Sequence, residues 1–465
     1  MIFKLVKAVC PEHIKPFMYT RFYSVRGMAA REILAEARRF KTRRELEEHQ
    51  SKLLRRLVHY VYERVPFYRA KFKEHGLKPD DIKSIEDLQK VKLFTVKDDL
   101  RRNYPLGLLA VPFEEVVRVH ASSGTTGLPT VVAYNAKDIE TWAKLNARCL
   151  LVAGATKRDV VQVSYGYGLF TGGLGLHYGA ELIGAKVIPA SAGNTQRQLT
   201  LMRDLGTTVL CCTPSYALYL AEYARDHGFE IEKFKLRLGI FGAEPWSEGL
   251  RKQLEENLHL RAHDIYGMSE LYGPGVAIEC PERCGLHVWE DHFIVEVIDP
   301  KTGEPLEPGE EGELVFTTLT KEAMPLIRYR SRDISMLETN ACSCGLVHAR
   351  IMRIRGRTDG MIKVRGVAVF PSQVEEVLSR IDGLTPNYQI VVDRPGALDK
   401  LLVRVELSPK AATDVLSRLV VLQRRVEEEL REALGVSASV ELLEPGALPR
   451  SEGKAKRVVD LRSLR

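Results

Sequence analysis

Hydrophobic positions change their spacing several times along this chain, and each change predicts a different kind of structure. In residues 31–75 apolar side chains recur every three or four positions, which is typical of amphipathic helices. From residue 116 onward, short apolar runs alternate with helical segments, which favours α/β layers with parallel strand pairing. The expected strands are residues 116–120, 130–134, 187–190, 208–212, 238–241 and 263–265, and residues 138–152 are an expected helix.

Residues 290–340 have all-β character, and after residue 357 the pattern changes again. There we expect strand 361–370, helix 372–381, strands 389–393 and 401–407, helix 411–434, strand 438–443 and a basic tail at 449–457. This β-α-β-β-α-β order predicts a split-βαβ module. The expected fold is therefore α/β: an extension (1–30), a large multi-layer domain with parallel sheets and a β-rich segment (31–356), and a small mobile α+β domain (357–465).

Length, charge and composition restrict the class of protein. The chain has 465 residues, of which 45% are hydrophobic, so two or more folded domains are expected. A net charge of +7, from 68 basic and 61 acidic residues that are interleaved nearly everywhere, argues against nucleic acid as a partner and leaves anionic small molecules as suitable ligands. Neither a bilayer-spanning apolar run nor a secretory signal is apparent, so we expect a cytoplasmic protein that does not enter a membrane.

A loop rich in Ser, Thr and Gly lies between the first two expected strands. Its small residues allow close approach of a phosphate, and its N–H and hydroxyl groups can donate to phosphate oxygens. It is not the P-loop of kinases and GTPases, because Leu128 stands where that motif needs Lys. A flexible hairpin loop is the alternative interpretation. The candidate phosphate-binding residues are Ser122, Ser123, Gly124, Thr125, Thr126 and Gly127.

This loop resembles the phosphate loop of the adenylate-forming enzymes, which include acyl-CoA synthetases and nonribosomal adenylation domains. The resemblance extends from about residue 45 to 460 and leaves residues 1–30 outside. Within the superfamily, residues 165–173 (YGYGLFTGG) and 266–270 (YGMSE) are most similar to the phenylacetate–CoA ligase family. The other motifs follow in the superfamily's order: 242–245 (GAEP), 264–270 (DIYGMSE), 329–333 (YRSRD), 356–366 (GRTDGMIKVRG) and 450–454 (RSEGK).

The resemblance implies a nucleotide site built from these motifs. Asp333 would accept hydrogen bonds from the ribose diol, and Glu270 would hold Mg²⁺ that carries the ATP phosphates. Without the resemblance, Asp333 could equally pair with Arg328, Arg330 or Arg332, and Glu270 could be an ordinary carboxylate at a helix N-terminus. The resemblance implies that adenine and the acyl group bind along Gly242, Ala243, Glu244, Pro245, Asp264, Ile265, Tyr266, Gly267, Met268 and Ser269.

The C-terminal motifs imply a moving domain. Lys454 would reach the carboxylate and the α-phosphate and neutralise the charge that develops as they combine. Arg357 matches the arginine beside the family's hinge, and Asp359 matches the hinge residue itself. Glycines at positions 356 and 360 would ease the backbone change. From the residues alone, Lys454 could be a solvated charge and the hinge stretch an ordinary interdomain turn.

Two further sites are indicated. Tyr165 and Phe170 are candidates for an aromatic-lined acyl pocket, although both could simply be core residues. Four of the eight cysteines fall late in the chain, a pattern typical of a metal site in a reducing compartment. The resemblance favours structural Zn²⁺ held by Cys280, His287, Cys342 and Cys344, with His348 as a bystander. An all-cysteine set that includes Cys284, or a metal-free reduced set, is the alternative.

The function that the resemblance implies is AMP-forming ligation of an aryl acid, phenylacetate first, to coenzyme A, with ATP as the second substrate. Adenylation that ends on a carrier protein or an amine is one alternative, and a non-catalytic nucleotide- or zinc-binding protein is another. The sequence does not determine the preferred acid, the role of residues 1–30 or the oligomeric state, although twofold dimers are the commonest assembly.

Overall fold

The computed structural model describes residues 30–122, 129–394, 398–451 and 455–462. Helices α1–α12 are Ala30–Ala37, Arg43–Arg64, Pro66–Glu74, Ile85–Lys90, Lys97–Arg102, Ala136–Val152, Gly172–Leu182, Thr195–Leu205, Pro214–Asp226, Glu248–Leu258, Pro371–Leu378 and Leu416–Leu434. Short 3₁₀ turns lie at Pro79–Asp81, Phe113–Glu115, Ile231–Lys233 and Ala411–Thr413. In this part of the chain no helix is long and apolar enough to cross a membrane.

The strands, numbered in chain order, begin with a separate antiparallel hairpin of β1 and β2 around the Ser/Thr/Gly loop. Strands β1–β10 are Val116–Ser122, Thr130–Asn135, Val160–Val163, Lys186–Ile188, Val209–Cys212, Leu238–Gly242, Arg261–Met268, Gly273–Glu279, Leu286–Val288 and Phe293–Ile298. Strands β11–β20 are Glu311–Thr318, Tyr329–Glu338, Arg350–Ile351, Gly356–Arg357, Ile362–Val364, Val367–Val369, Leu384–Asp393, Lys400–Leu407, Ser439–Leu443 and Val458–Asp460.

One long sheet dominates the large domain. Its order is β10-β11-β12-β13-β9-β8-β7-β6-β5-β3-β4, with β14 paired to β12. Strands β4, β3, β5, β6 and β7 pair in parallel, and the pairs from β7 through β8 to β10 are antiparallel. This confirms both the α/β expectation and the all-β character of residues 290–340.

Alternate residues of the central strands serve two different cores. On β5, Val209 and Cys211 pack with α6 and α7, whereas Leu210 and Cys212 pack with α8, α9 and α10. Successive side chains of a strand point to opposite faces, so helices can cover both sides of a parallel sheet. The layering leaves the carboxyl ends of the parallel strands as an open edge.

The small domain departs from its expected order at both ends. The expected strand 361–370 is wrong, because Arg365 (φ 50°) and Gly366 (φ 83°) reverse the chain and divide it into the hairpin β15–β16. That hairpin does not join the four-stranded sheet, whose order is β19-β18-β17-β20. The sheet is completed instead by β20, which follows the basic tail and runs parallel to β17.

Candidate active site

The site lies where β5, β6 and β7 end, at the edge where open parallel sheets hold ligands. Gly242 ends β6 so close to the backbone oxygen of Ile265 that a Cβ atom there would clash with it. The next residue, Ala243, adopts a left-handed conformation with φ of 72°. Together they turn the chain sharply, and Glu244 and the exposed Pro245 follow at the sheet edge.

Glu244 joins two parts of the molecule. Its Oε1 accepts hydrogen bonds from the backbone N–H of Ser215, at 2.7 Å, and from the Ser215 hydroxyl. Its Oε2 accepts a hydrogen bond from the backbone N–H of Ala455, at 3.1 Å. Ala455 directly follows Lys454, which lies outside the described residues, as do Ser123, Gly124, Thr125, Thr126 and Gly127.

On the neighbouring strand, the backbone of Asp264 is hydrogen-bonded to a buried ion pair. The N–H of Asp264 donates to Oε2 of Glu279 at 2.8 Å, and Arg251 donates two hydrogen bonds to the Glu279 carboxylate, at 2.7 and 2.8 Å. Burial, with the charge of Glu279 adding to it, raises the pKa of Asp264 to about 7.

Asp333 meets two side chains from other motifs. Tyr266 donates its hydroxyl to Oδ2 at 2.6 Å, and Nη1 of Arg357 lies 3.1 Å from Oδ1. The contact between Asp333 and Arg357 follows from strand pairing, since Asp333 on β12 lies opposite Arg357 on β14. The alternative arginines Arg328 and Arg330 are instead bonded to Glu296 and Glu313. The structure therefore brings together three residues that the sequence assigned to separate motifs.

Glu270 is buried in the turn after β7. Its carboxylate lies 3.8 Å from Nζ of Lys97, and its backbone oxygen accepts a hydrogen bond from Nζ of Lys321 at 2.8 Å. Lys321 is itself buried, which lowers its pKa to about 8. Tyr134 on β2 donates to the backbone oxygen of Ser269 at 3.0 Å, so the turn is attached to the strand that leaves the phosphate loop.

The ends of the phosphate loop offer free polar atoms. Within the described residues, the buried hydroxyl groups of Ser122 and Thr130 have no hydrogen-bond partner. Buried polar groups are rarely left unpaired unless a ligand or water completes them. Hydroxyl groups such as these can donate to phosphate oxygens, and a carboxylate such as that of Glu270 can bind the accompanying metal ion.

The two candidate pocket aromatics have different surroundings. Tyr165 is 5% exposed and its buried hydroxyl lacks a hydrogen-bond partner among the described residues. Burial raises its pKa well above the ordinary value, and the charges of Cys212, Cys211 and Glu244 raise it further. Phe170 is 38% exposed, so the structure does not place it in the same buried environment.

A separate cluster joins Cys280, His287, Cys342 and Cys344, whose ligand atoms all lie within 4.8 Å of one another. Sγ of Cys280 is 3.7 Å from Sγ of Cys342, and Sγ of Cys344 is 3.3 Å from Nε2 of His287. The other ring nitrogen of His287 lies 2.9 Å from the backbone oxygen of His348, so Nε2 is left to face the sulfurs.

Sequence reasoning missed several contacts that shape the site. Ser215 and Lys321 belong to no motif, and each is recognisable only once the chain is folded. No local pattern separates a buried lysine in a Thr-Lys-Glu stretch from a solvated one. Only the folded structure identifies these two residues, because each is hydrogen-bonded to a residue of a motif.

Comparison with known proteins identifies the class. Residues 35–319 match the family described as AMP-binding enzyme, and residues 366–462 match the AMP-binding enzyme C-terminal domain. The chain therefore belongs to the AMP-binding family of adenylate-forming enzymes.

A relative with a known name identifies the group within this family. Phenylacetate-coenzyme A ligase of Thermus thermophilus is 51% identical over 434 residues, which cover 90% of this chain and 97% of that protein. Within the family, the chain falls in the phenylacetate–CoA ligase group.

Solved structures agree on the fold. A crystal structure of 2-hydroxyisobutyryl-CoA ligase in the postadenylation state with 2-HIB-AMP is 30% identical, covers 91% of each chain and has a TM-score of 0.86. The same enzyme with 2-HIB-AMP and CoA in the thioesterification state, also 30% identical and covering 91% of this chain and 92% of that one, has a TM-score of 0.67.

We predict that Tyr266→Phe weakens ATP binding. The variant loses the 2.6 Å hydrogen bond that fixes the Asp333 carboxylate. A hydrogen bond of this kind contributes about 0.5–1.5 kcal/mol, so the Kd for ATP should rise about 2- to 10-fold. Calorimetric titration measures it. Tyr68→Phe is the matched control, since its buried hydroxyl contacts Thr95 instead. An unchanged Kd in Tyr266→Phe would contradict the role assigned to this contact.

Proposed function

We propose that this protein is an ATP-dependent ligase that activates an aryl carboxylic acid as its acyl-adenylate and transfers the acyl group to coenzyme A. The observation that carries the proposal is the hydrogen bond from Ala455 to Glu244. It fastens the C-terminal tail, one residue after the candidate catalytic lysine, to the motif at the carboxyl edge of the sheet. The similarity to phenylacetate-coenzyme A ligase supports the same activity.

In the first half-reaction the acid's carboxylate oxygen attacks the α-phosphorus of ATP, and pyrophosphate leaves. Negative charge gathers on the oxygens around phosphorus, and Lys454 stabilises it as a positioned cation. Asp333, oriented by Tyr266 and Arg357, accepts hydrogen bonds from the ribose hydroxyls. Glu270 would hold Mg²⁺, which when bound screens the phosphate charge.

In the second half-reaction the thiolate of CoA attacks the adenylate carbonyl, the acyl–phosphate bond breaks and AMP leaves. We propose that the small domain, residues 357–465, rotates between the two steps about Asp359. The adjacent Gly360 supports a hinge here, because a glycine eases a change of backbone conformation.

We propose phenylacetate as the preferred acid. The similarity to a phenylacetate-coenzyme A ligase supports this choice. So does Tyr165, which presents an aromatic ring beside the carboxyl edge of β5 and can make offset or edge contacts with a second ring. We keep Phe170 as a second candidate for the acyl pocket, since its ring is partly exposed and can contact a substrate.

We also propose a structural Zn²⁺ bound by Cys280, His287, Cys342 and Cys344. Three thiols and one imidazole within 4.8 Å fit tetrahedral coordination. Cys284 is the weaker candidate, because Arg350 donates to its sulfur at 2.8 Å, although it also lies 3.5 Å from Cys342. A reduced thiol cluster is stable in a reducing compartment, which supports a cytoplasmic location.

Substrate use tests the proposal most simply. With ATP, Mg²⁺ and free CoA, phenylacetate should give AMP and phenylacetyl-CoA faster than hydroxyphenylacetate, benzoate, aminobenzoate or indoleacetate do. Coupled AMP release and mass spectrometry of the product measure this. AMP without acyl-CoA would favour a carrier protein or an amine as acceptor. Absence of pyrophosphate exchange with every acid would favour a non-catalytic binding protein.

Lys454→Ala should separate the half-reactions. Loss of the positioned cation is expected to slow pyrophosphate exchange by at least about 100-fold, while thioester formation from supplied acyl-adenylate stays near the wild-type rate. Lys410→Ala, which removes an exposed lysine elsewhere in the small domain, is the control and should leave both rates unchanged. Equal loss of both half-reactions in Lys454→Ala would contradict the assigned role.

Metal content tests the zinc site. We expect about one Zn²⁺ per chain in the wild type and in Cys284→Ser, and loss of metal in Cys344→Ser, because a tetrahedral structural site needs all four ligands. Elemental analysis gives the stoichiometry. Thermal unfolding should show that Cys344→Ser alone is destabilised, because metal binding contributes to folding. Metal loss in Cys284→Ser and retention in Cys344→Ser would show that the ligand set is different.

A further inference from the structure

Glu222 forms a contact between the two domains. It lies on α9 of the large domain and its side chain is 15% exposed. Oε1 accepts a hydrogen bond from Nδ2 of Asn387 at 2.7 Å, and Oε2 accepts one from Nε of Arg450 at 2.8 Å. Asn387 is on β17 and Arg450 is on the C-terminal tail, so one carboxylate holds two separate parts of the small domain.

Arg450 is fixed on its other side as well. Its two terminal nitrogens donate to both carboxylate oxygens of Glu406, each at 2.8 Å, and Glu406 on β18 is fully buried. A bidentate arginine–carboxylate pair sets orientation as well as distance. The tail therefore keeps its place within the small domain through Glu406, and Glu222 adds only the attachment to the large domain.

Helix α9 contacts the C-terminal tail at a second position as well. Ser215, near the start of α9, holds the Glu244 carboxylate that accepts the Ala455 N–H. Glu222, farther along α9, holds Arg450. In the sequence, Lys454 falls between these two attached residues, Arg450 and Ala455. The crevice beside them, about 290 Å³, is lined by residues of both domains.

We propose that Glu222 is a positioning residue for adenylation: it holds the small domain in the orientation that brings Lys454 to the site, and it releases that domain for thioesterification. The inference rests on the proposed function. The greater similarity to a postadenylation state than to a thioesterification state supports assigning this contact to the first half-reaction.

The chemistry of the contact suits a latch that opens. When the domains separate, Arg450 keeps its paired carboxylate Glu406 and is not left as an uncompensated charge. The Glu222 side chain is partly exposed even in this orientation, so water can replace both donors when the domains separate. Such a contact favours one orientation of the small domain but still allows the domain to move to the other orientation.

The test compares both half-reactions in Glu222→Ala. Pyrophosphate exchange should fall by about 10- to 100-fold, as expected for loss of hydrogen bonds to a charged group. Thioester formation from supplied acyl-adenylate should stay within about twofold of wild type or rise. Asn387→Ala, which leaves all charges in place, should cause a smaller loss in the same direction. The control is Glu230→Ala, whose exposed carboxylate pairs with Lys233, and both of its rates should match wild type.

Several outcomes would overturn the inference. Unchanged exchange in Glu222→Ala would show that the contact does not position the domain. Equal loss of both half-reactions would indicate a general structural role, and retained thioesterification excludes misfolding as the cause of slow exchange. Absence of exchange in the wild type would remove the proposed function and this inference together. If the wild type is active but the ratio of the exchange rate to the thioesterification rate is unaltered in both Glu222→Ala and Asn387→Ala, this inference alone would be removed.

Discussion

The carboxylate of Glu244 is the point on which the arrangement of this enzyme depends. It follows a sharp turn that is possible because Gly242 lacks a side chain and Ala243 adopts a left-handed conformation. On one side it is held by α9, and on the other it receives the C-terminal tail. The turn at the end of β6 therefore contacts both α9 and the C-terminal tail.

Electrostatics at the site follow from how each charge is buried. Asp333 accepts a hydrogen bond from the Tyr266 hydroxyl and is paired with Arg357, so its negative charge is compensated within the protein. Glu270 is different, because it is buried and its nearest cation, Lys97, lies 3.8 Å away. Lys321 donates a hydrogen bond to the backbone oxygen of Glu270, and its ammonium group faces the rings of Tyr134 and Tyr272. Polar groups are thus supplied where a phosphate and its metal ion would need them.

Much of the fold was predictable because it depends on local patterns. Short apolar runs separated by helical segments located the central strands, and short motifs located their carboxyl ends. The errors have physical causes. Residues 361–370 look like one strand, but Arg365 and Gly366 both adopt left-handed conformations and turn the chain back. Strand β20 follows a basic tail whose composition gives no strand signal. Glu222 looks like a solvated helix carboxylate until the second domain is placed against it.

The central claim is that one site makes an acyl-adenylate and then passes its acyl group to a thiol. Rapid-quench experiments with ATP labelled at the α-phosphate, phenylacetate and an excess of enzyme test it most directly. Without CoA, we expect most of the limiting labelled ATP to accumulate as acyl-adenylate bound to the enzyme. Addition of CoA should then convert it to AMP at the rate at which thioester appears. Formation of ADP, or of thioester without any labelled adenylate, would contradict the account.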